Sequence, residues 1–163
     1  MSPKIAFDIN IRRGVTSDLE TIAGFNAAMA QETESKTLDL DCLRSGVSAV
    51  LSDEGLGFYL VAEIENQIVG QLMVTTEWSD WRNGVVWWLQ SVFVEPEFRR
   101  RGVFRLLYET LRSQARNDER VVGLRLYVEG DNRGAQATYA RLGMSSSGYT
   151  VMEELFTEAL EEG

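Results

Sequence analysis

One segment of the 163-residue chain constrains its structure most, because it changes from strand to helix across a cluster of arginines. The segment covers residues 92–107 and reads VFVEPEFRRRGVFRLL. Its β-branched and aromatic start predicts a strand that ends at Pro96, and the apolar spacing after Gly102 predicts an amphipathic helix. The first turn of a helix carries unpaired N–H groups and partial positive charge. The junction therefore predicts a binding site for an anionic, phosphate-bearing group.

The composition predicts one folded domain over residues 1–157, followed by an acidic tail at 158–163. We expect neither a membrane span nor a signal peptide, and the single cysteine, Cys42, favours the cytoplasm. The chain has no histidine, which excludes Ser-His and Cys-His catalysis and makes a metal site unexpected. The net charge of −9 argues against a nucleic-acid partner and favours cationic or neutral ones.

Hydrophobic periodicity predicts ten elements in the order β-α-α-β-β-β-α-β-α-β, which indicates a mixed α/β or α+β domain. A capping box at Ser17 and Glu20 is expected to begin the first helix, and Asp39 to cap the second. Later helices are expected at 103–117 and 132–142. The predicted strands are 5–12, 58–64, 67–76, 85–94, 121–128 and 149–155.

Two motifs lie on either side of the strand predicted at 121–128. The first is Arg99-x-x-Gly102-x-Phe104, and the second is Asn132-x-x-Ala135-x-x-x-Tyr139 followed by Gly143-Met144. In this order they resemble the two signatures of the GCN5-related N-acetyltransferases (GNAT), and the resemblance covers nearly the whole chain. The departure is Phe104, where the family prefers Gly or Ala. The ring either crowds the loop or turns into the core behind it.

The resemblance implies a central, mostly antiparallel, twisted sheet of six or seven strands with a V-shaped splay, flanked by about four helices. It implies acetyl-CoA as donor and no metal. The Val92 amide would polarise the thioester carbonyl, and Tyr139 would protonate the departing thiolate. The donor-binding residues implied are Val92, Phe93, Val94, Arg99, Arg100, Arg101, Gly102, Val103, Phe104, Arg105, Asn132 and Tyr139.

A general base is not evident. Polyamine-type relatives place a glutamate where this chain has Gln90, and an amide cannot accept a proton. Gln90 can still order a water whose proton passes to another carboxylate, and a substrate of low amine pKa needs no base. The candidate acceptors of that proton are Glu77, Asp80 and Glu32.

Aromatic residues beside carboxylates suggest where an acceptor binds. Such a combination suits a cationic amine, although the indoles can equally cover the core edge or a dimer contact. Trp87 and Trp88 alternate on a strand, so at most one faces an acceptor cleft. The predicted substrate-binding residues are Glu77, Trp78, Asp80, Trp81 and Trp88.

The sequence thus predicts an N-acetyltransferase that transfers acetyl from acetyl-CoA to a primary amine of a small molecule or peptide, by direct attack in a ternary complex. The alternative is a non-catalytic acyl-CoA-binding sensor of the same fold. A homodimer remains an option. A nucleotide-binding protein of another class is disfavoured because neither common phosphate-loop motif occurs.

Overall fold

The computed structural model describes residues 8–156, which form one mixed sheet of five strands together with four α-helices. The elements, in chain order, are β1 (Asn10–Arg13), α1 (Leu19–Glu34), α2 (Leu40–Ser52), β2 (Phe58–Ile64), β3 (Gln67–Ser79), β4 (Gly84–Val94), α3 (Val103–Asn117), β5 (Val121–Leu126) and α4 (Arg133–Arg141). The predicted fold class is confirmed, with five strands in place of six or seven.

The strands lie in the sheet in sequence order, β1 to β5. Neighbours are antiparallel except β4 and β5, which are parallel because α3 crosses over between them. β4 pairs with β3 up to Val94, but with β5 only up to Leu89. In the described part of the chain no strand flanks residues 90–94 on that side. This opening is the predicted splay.

Helices cover the two faces of the sheet. The α3 face holds the larger core, because Val103, Leu107 and Leu111 recur at helical spacing and are fully buried against strand residues such as Leu60, Leu72 and Leu89. The opposite face, here the α1 face, packs Ile22 of α1 and Val47 of α2 against Tyr59 and Val61. Within residues 8–156, no helix is both long and apolar enough to cross a membrane.

Local signals account for several element boundaries. Asp39 Oδ1 accepts a 2.7 Å hydrogen bond from the Cys42 N–H, which confirms the predicted cap of α2. Glu65 and Asn66 both have positive φ, as a two-residue hairpin between β2 and β3 requires. The connection between β3 and β4 is shorter than the strands predicted at 67–76 and 85–94 imply, because β3 continues to Ser79 and only residues 80–83 form the turn.

A β-bulge interrupts the pairing of β3 with β4. Gln71 faces Phe93 and Met73 faces Gln90, so Leu72 alone lies opposite two residues, Ser91 and Val92. Ser91 has φ of 49°, in the left-handed region that costs a non-glycine residue energy. The bulge lies at the point where β4 separates from β5.

Two sequence predictions are wrong. Residues 149–155 form no strand; they are irregular, and Met152 is 89% exposed. Alternation of residue types is insufficient there, because a strand also needs a paired neighbour. The capping box of Ser17 and Glu20 is replaced by a 3-10 turn in which Asp18 accepts from the Val15 N–H, while Glu20 pairs with Arg44. Residues 5–7 of the first predicted strand and the tail at 158–163 lie outside the described residues.

Candidate active site

The arginine loop, residues 99–105, follows β4 and includes the first turn of α3. Arg100 and Gly102 both have positive φ, and Gly102 is the N-cap of α3. A Cβ placed on Gly102 would meet nothing within 4 Å, so open space lies in front of this backbone. The first turn of α3 contains no acidic residue. Left-handed backbone followed by unpaired helix N–H groups forms a concave anion site, which fits the pyrophosphate of a CoA ligand.

Two arginine side chains of this loop are already paired. Arg99 donates to both carboxylate oxygens of Glu32 on α1, at 2.5 and 2.8 Å, and to the Val94 carbonyl at 2.8 Å. Arg105 donates to Glu109, one helical turn further along α3, at 2.8 Å. These two side chains are thus engaged within the protein, and Arg99 links the loop to α1 and to the end of β4.

The Phe104 side chain turns away from the loop and towards the core. Its ring packs against Tyr108 with centroids 6.2 Å apart, and against Tyr139 of α4 at 5.9 Å in an edge-to-face arrangement. The ring therefore does not crowd the loop. It turns into the core behind the loop, which was the second alternative left open by the sequence. Phe104 is thus the contact that places Tyr139 beside the first turn of α3.

The second motif lies on α4. Asn132 is the N-cap of this helix, and its Oδ1 accepts from the Ala135 N–H at 3.0 Å. Tyr139 is half-buried, and burial raises the pKa of its phenol above the ordinary value. A phenol is protonated at neutral pH with or without this rise, so Tyr139 can donate a proton, although the rise makes it a weaker acid.

The free edge of β4 offers mainly backbone. Val92 and Val94 pack towards the α3 core, whereas Phe93 points to the α1 face and contacts Phe25 at a centroid distance of 5.0 Å. All three side chains are therefore engaged in packing. What remains at the splay is the main chain of residues 92–94.

In the structure, Gln90 has different hydrogen-bond partners from the three carboxylates considered as proton acceptors, which are Glu32, Glu77 and Asp80. Gln90 Nε2 donates to Thr75 Oγ1 at 2.6 Å, on the α1 face beside the splay. The Arg99 guanidinium lowers the pKa of Glu32, which makes that carboxylate a weaker base. Both oxygens of Glu77 accept hydrogen bonds, and Asp80 Oδ1 accepts from the Trp81 N–H within the β3–β4 turn.

The predicted acceptor residues divide into two groups. Glu77 accepts from Trp88 Nε1 at 2.9 Å, so these two lie together on the α1 face. Trp78 lies on the other face of β3 by strand alternation, and Asp80 and Trp81 lie in the turn, where Trp81 is 87% exposed. The structure thus brings Glu77 and Trp88 together, without the other three residues.

Sequence reasoning missed two residues beside this pair. Arg125 of β5 donates to Glu77 at 2.8 Å, and the Tyr127 ring lies 4.5 Å from that of Trp88. Both follow from the parallel register of β4 and β5, which aligns Trp88 with Arg125. The sequence has no local signal for that register. We call Glu77, Trp88, Arg125 and Tyr127 the acceptor-side cluster.

Known proteins share this architecture. The sequence matches the model of the acetyltransferase (GNAT) family over residues 20–144. A possible acetyltransferase from Clostridium difficile 630 is 46% identical, with a TM-score of 0.86, over 92% of this chain and 99% of that chain. The aminoglycoside N-acetyltransferase AAC(6')-Iy in complex with CoA is 17% identical, with a TM-score of 0.75, over 96% of this chain and 100% of that chain.

A ribosomal-protein-alanine N-acetyltransferase from Brucella melitensis biovar Abortus 2308 is 15% identical, with a TM-score of 0.72, over 91% of this chain and 99% of that chain. Likenesses at this low identity establish the fold alone. A comparison with curated proteins gives no match. The family match spans most of the chain and includes both motifs. The chain belongs to the GNAT family of acetyltransferases and is an acetyl-CoA-dependent N-acetyltransferase.

Proposed function

We propose that the acceptor is a primary amine of a small molecule or peptide, attacking directly in a ternary complex at the splay. The observation that carries this proposal is the free main-chain edge of β4, which lies between the arginine loop and the acceptor-side cluster. Acetyl-CoA supplies the acetyl thioester when bound. Holding donor and amine together at one edge supplies much of the acceleration.

The donor residues act in three ways in this proposal. Main-chain N–H groups from Arg100 to Arg105 bind the pyrophosphate, with Arg99 holding the loop and Asn132 beginning the helix that carries Tyr139. The backbone of residues 92–94 aligns the thioester arm. Tyr139 donates a proton to the departing thiolate. The position of Tyr139 beside the first turn of α3, where its ring contacts Phe104, supports this role.

The acceptor amine loses its proton through water. We propose that Gln90, whose side chain is oriented by Thr75, orders this water at the α1 face of the splay. Glu32 is a poor final proton acceptor, since Arg99 stabilises its ionised form. The final acceptor of the proton is then Glu77, Asp80 or bulk solvent.

A cationic acceptor fits the net charge of −9 and the adjacent aromatic rings of Trp88 and Tyr127. Two proteins of the same fold are named for amine substrates, an aminoglycoside and a ribosomal-protein alanine.

The test is release of the CoA thiol with a panel of polyamines, aminoglycosides, amino acids and short peptides. Turnover with at least one cationic amine is expected. Reaction with acidic or neutral acceptors alone would reject the cationic assignment, and acetyl-CoA binding without any turnover would favour the sensor alternative.

We also propose a cytoplasmic homodimer in which residues 149–156 of each copy cover β5 of the other. In one copy this apolar segment is exposed, with Phe156 at 90%, and no described strand pairs with the outer edge of β5. Beside that edge lies a groove between α3 and β5 that is lined in part by Arg112 and Arg116, whose charges are opposite to those of Glu153 and Glu154. Unpaired edges and exposed apolar segments favour association.

Disulfide trapping tests this arrangement. Cys42 is replaced by serine, and cysteines are introduced by Val122→Cys and Val151→Cys. Covalent dimers on a non-reducing gel, together with a dimer mass by light scattering, are expected. An intramolecular crosslink in a monomer would show that the segment folds onto its own β5. No crosslink with a monomer mass would reject both arrangements.

A further inference from the structure

Gln71 is a fully buried polar residue in the middle of β3, and its side chain lies on the α1 face. Its Nε2 donates to Asn26 Oδ1 at 2.8 Å and to the main-chain carbonyl of Ser91 at 3.2 Å. Asn26 is also hydrogen-bonded to the Tyr59 hydroxyl. A buried side-chain network therefore reaches from α1 through β3 to the bulge in β4.

The orientation of this amide is determined by its partners. The Ser91 carbonyl can only accept, so Gln71 must present Nε2 to it. As a result Gln71 Oε1 is buried without a hydrogen-bond partner among the described residues. A buried polar atom left unsatisfied is destabilising and uncommon in folded proteins. At Gln71 this cost accompanies the hydrogen bond that Nε2 donates to the Ser91 carbonyl.

That carbonyl belongs to the same peptide unit as the Val92 N–H. In a planar trans peptide, the C=O and the N–H point in opposite directions. The bond from Gln71 draws the Ser91 oxygen towards β3 and the α1 face. The Val92 N–H must then point away from β3, into the side of β4 where pairing with β5 has ended.

Without this bond the bulge would be free to reorient. Ser91 adopts φ of 49°, which is unfavourable for serine. A strained peptide with one carbonyl contact can rotate when that contact is lost, and the N–H of Val92 would rotate with it. Holding the carbonyl thus preorganises a donor at the splay, where preorganised N–H groups are most effective.

We propose that Gln71 is a positioning residue of the donor site, which aims the Val92 N–H into the splay by holding the Ser91 carbonyl. The proposal rests on the proposed function, since the Val92 N–H is useful only where a thioester carbonyl is bound. Gln71 is fully buried, so its proposed effect passes through the peptide that joins Ser91 to Val92.

Gln71→Met tests the proposal by removing the donor at similar side-chain volume, with Tyr59→Phe as control. The control removes one bond of the same buried network but leaves the contact with Ser91. In Gln71→Met, kcat should fall by about 10- to 100-fold, a smaller loss than removal of an oxyanion donor itself, while the KM for acetyl-CoA stays within about threefold. In the unliganded protein, the Val92 amide resonance should shift or broaden more than those of Leu89 and Val94.

Gln71→Glu supplies a second readout. An ionised carboxylate cannot donate to Ser91, but a buried carboxyl is protonated more readily and then can. The kcat of this variant relative to wild type should therefore recover as the pH falls. The assignment would be overturned if the kcat of Gln71→Glu relative to wild type did not change with pH. It would also be overturned if Gln71→Met matched Tyr59→Phe in both kcat and the Val92 amide resonance. Absence of wild-type turnover would instead reject the proposed function, and the amide resonance would still decide the role of Gln71.

Discussion

Glu32 and Arg99, 67 residues apart in the sequence, join α1 to the arginine loop through two parallel hydrogen bonds. Arg99 also donates to the carbonyl of Val94, the last residue of β4. One guanidinium thus connects α1, the end of the free strand edge and the arginine loop. In the proposed donor site, Arg99 shapes the loop and Glu32 holds Arg99 in place.

Glu32→Gln separates this structural role from general-base catalysis. Because Arg99 lowers the pKa of Glu32, the carboxylate is ionised throughout the neutral range and does not titrate there. Both side chains are more than one-third exposed, so the stability change should be below about 1 kcal/mol. We expect kcat to change less than threefold and the neutral pH profile to be unchanged. A loss of the acidic limb in kcat against pH would identify Glu32 as the base.

Gly102→Ala should weaken acetyl-CoA binding at least tenfold, since the added methyl group projects into the open space before the loop. The positive φ of Gly102 also makes alanine costly, by about 1–2 kcal/mol. Gly143→Ala is the matched control, because Gly143 has φ of 94° and lies after α4, outside the loop. Calorimetric titration of both variants with acetyl-CoA separates the effect of a methyl group in front of the loop from the general cost of alanine at positive φ. Equal affinities in the two would place the pyrophosphate elsewhere.

Tyr139→Phe should lower turnover at least tenfold, because a positioned acid typically contributes about 10²–10⁴ in rate. The ring and its contact with Phe104 remain, so acetyl-CoA affinity should hold. Tyr108→Phe is the control: this tyrosine also contacts Phe104, and burial likewise raises its pKa. Any alkaline limb due to Tyr139 should lie above the ordinary range for a phenol, because burial raises its pKa. Equal kcat values for the two variants would make Tyr139 a packing residue only.

Asp18 should make stability depend on acid pH. Arg12 donates to both of its oxygens at 2.7 and 3.0 Å, and this pairing lowers the carboxyl pKa. The stabilisation is complete above the unfolded pKa of about 3.9 and is lost as pH falls through the lower folded value. Asp18→Asn should cost about 1–3 kcal/mol at pH 7 and flatten that acid dependence. Urea unfolding from pH 7 to pH 2.5 measures both effects.

The exposed pair of Glu20 and Arg44 provides the comparison for this experiment. Glu20→Gln should cost less than about 1 kcal/mol, since exposed ion pairs contribute little. If the two substitutions had equal effects, the contact of Asp18 with Arg12 would contribute no more than a surface pair.

Much of the fold was predictable because its signals are local. The hairpin at Glu65 and Asn66, the cap at Asp39 and the change from strand to helix around Gly102 each depend on a few adjacent residues. The predicted strand at 149–155 failed for the complementary reason. Its pattern suits a strand, but strand formation depends on a neighbour that the pattern does not specify.

The site was predictable only in part, since several of its contacts join distant parts of the chain. No spacing rule indicates that Gln71 bonds to the carbonyl of Ser91, or that Arg125 pairs with Glu77. These contacts follow from sheet register and from the bulge, which are properties of the assembled sheet. The motif arginines were apparent from sequence, whereas the pairing of Arg99 with Glu32 was not.

At the free edge of β4 the proposed ligand contacts are made by the main chain, so the side chains of this strand are available for packing in the core. Val92 and Val94 face the α3 core, so packing limits their side chains to apolar residues of similar volume, whereas the proposed donor contacts use only their main chain. Related chains can therefore diverge widely along this strand and keep the same cosubstrate. Selection for binding of the acetyl donor should act instead on the features that fix the backbone conformation. Here these features are the β-bulge and Gly102 of the arginine loop.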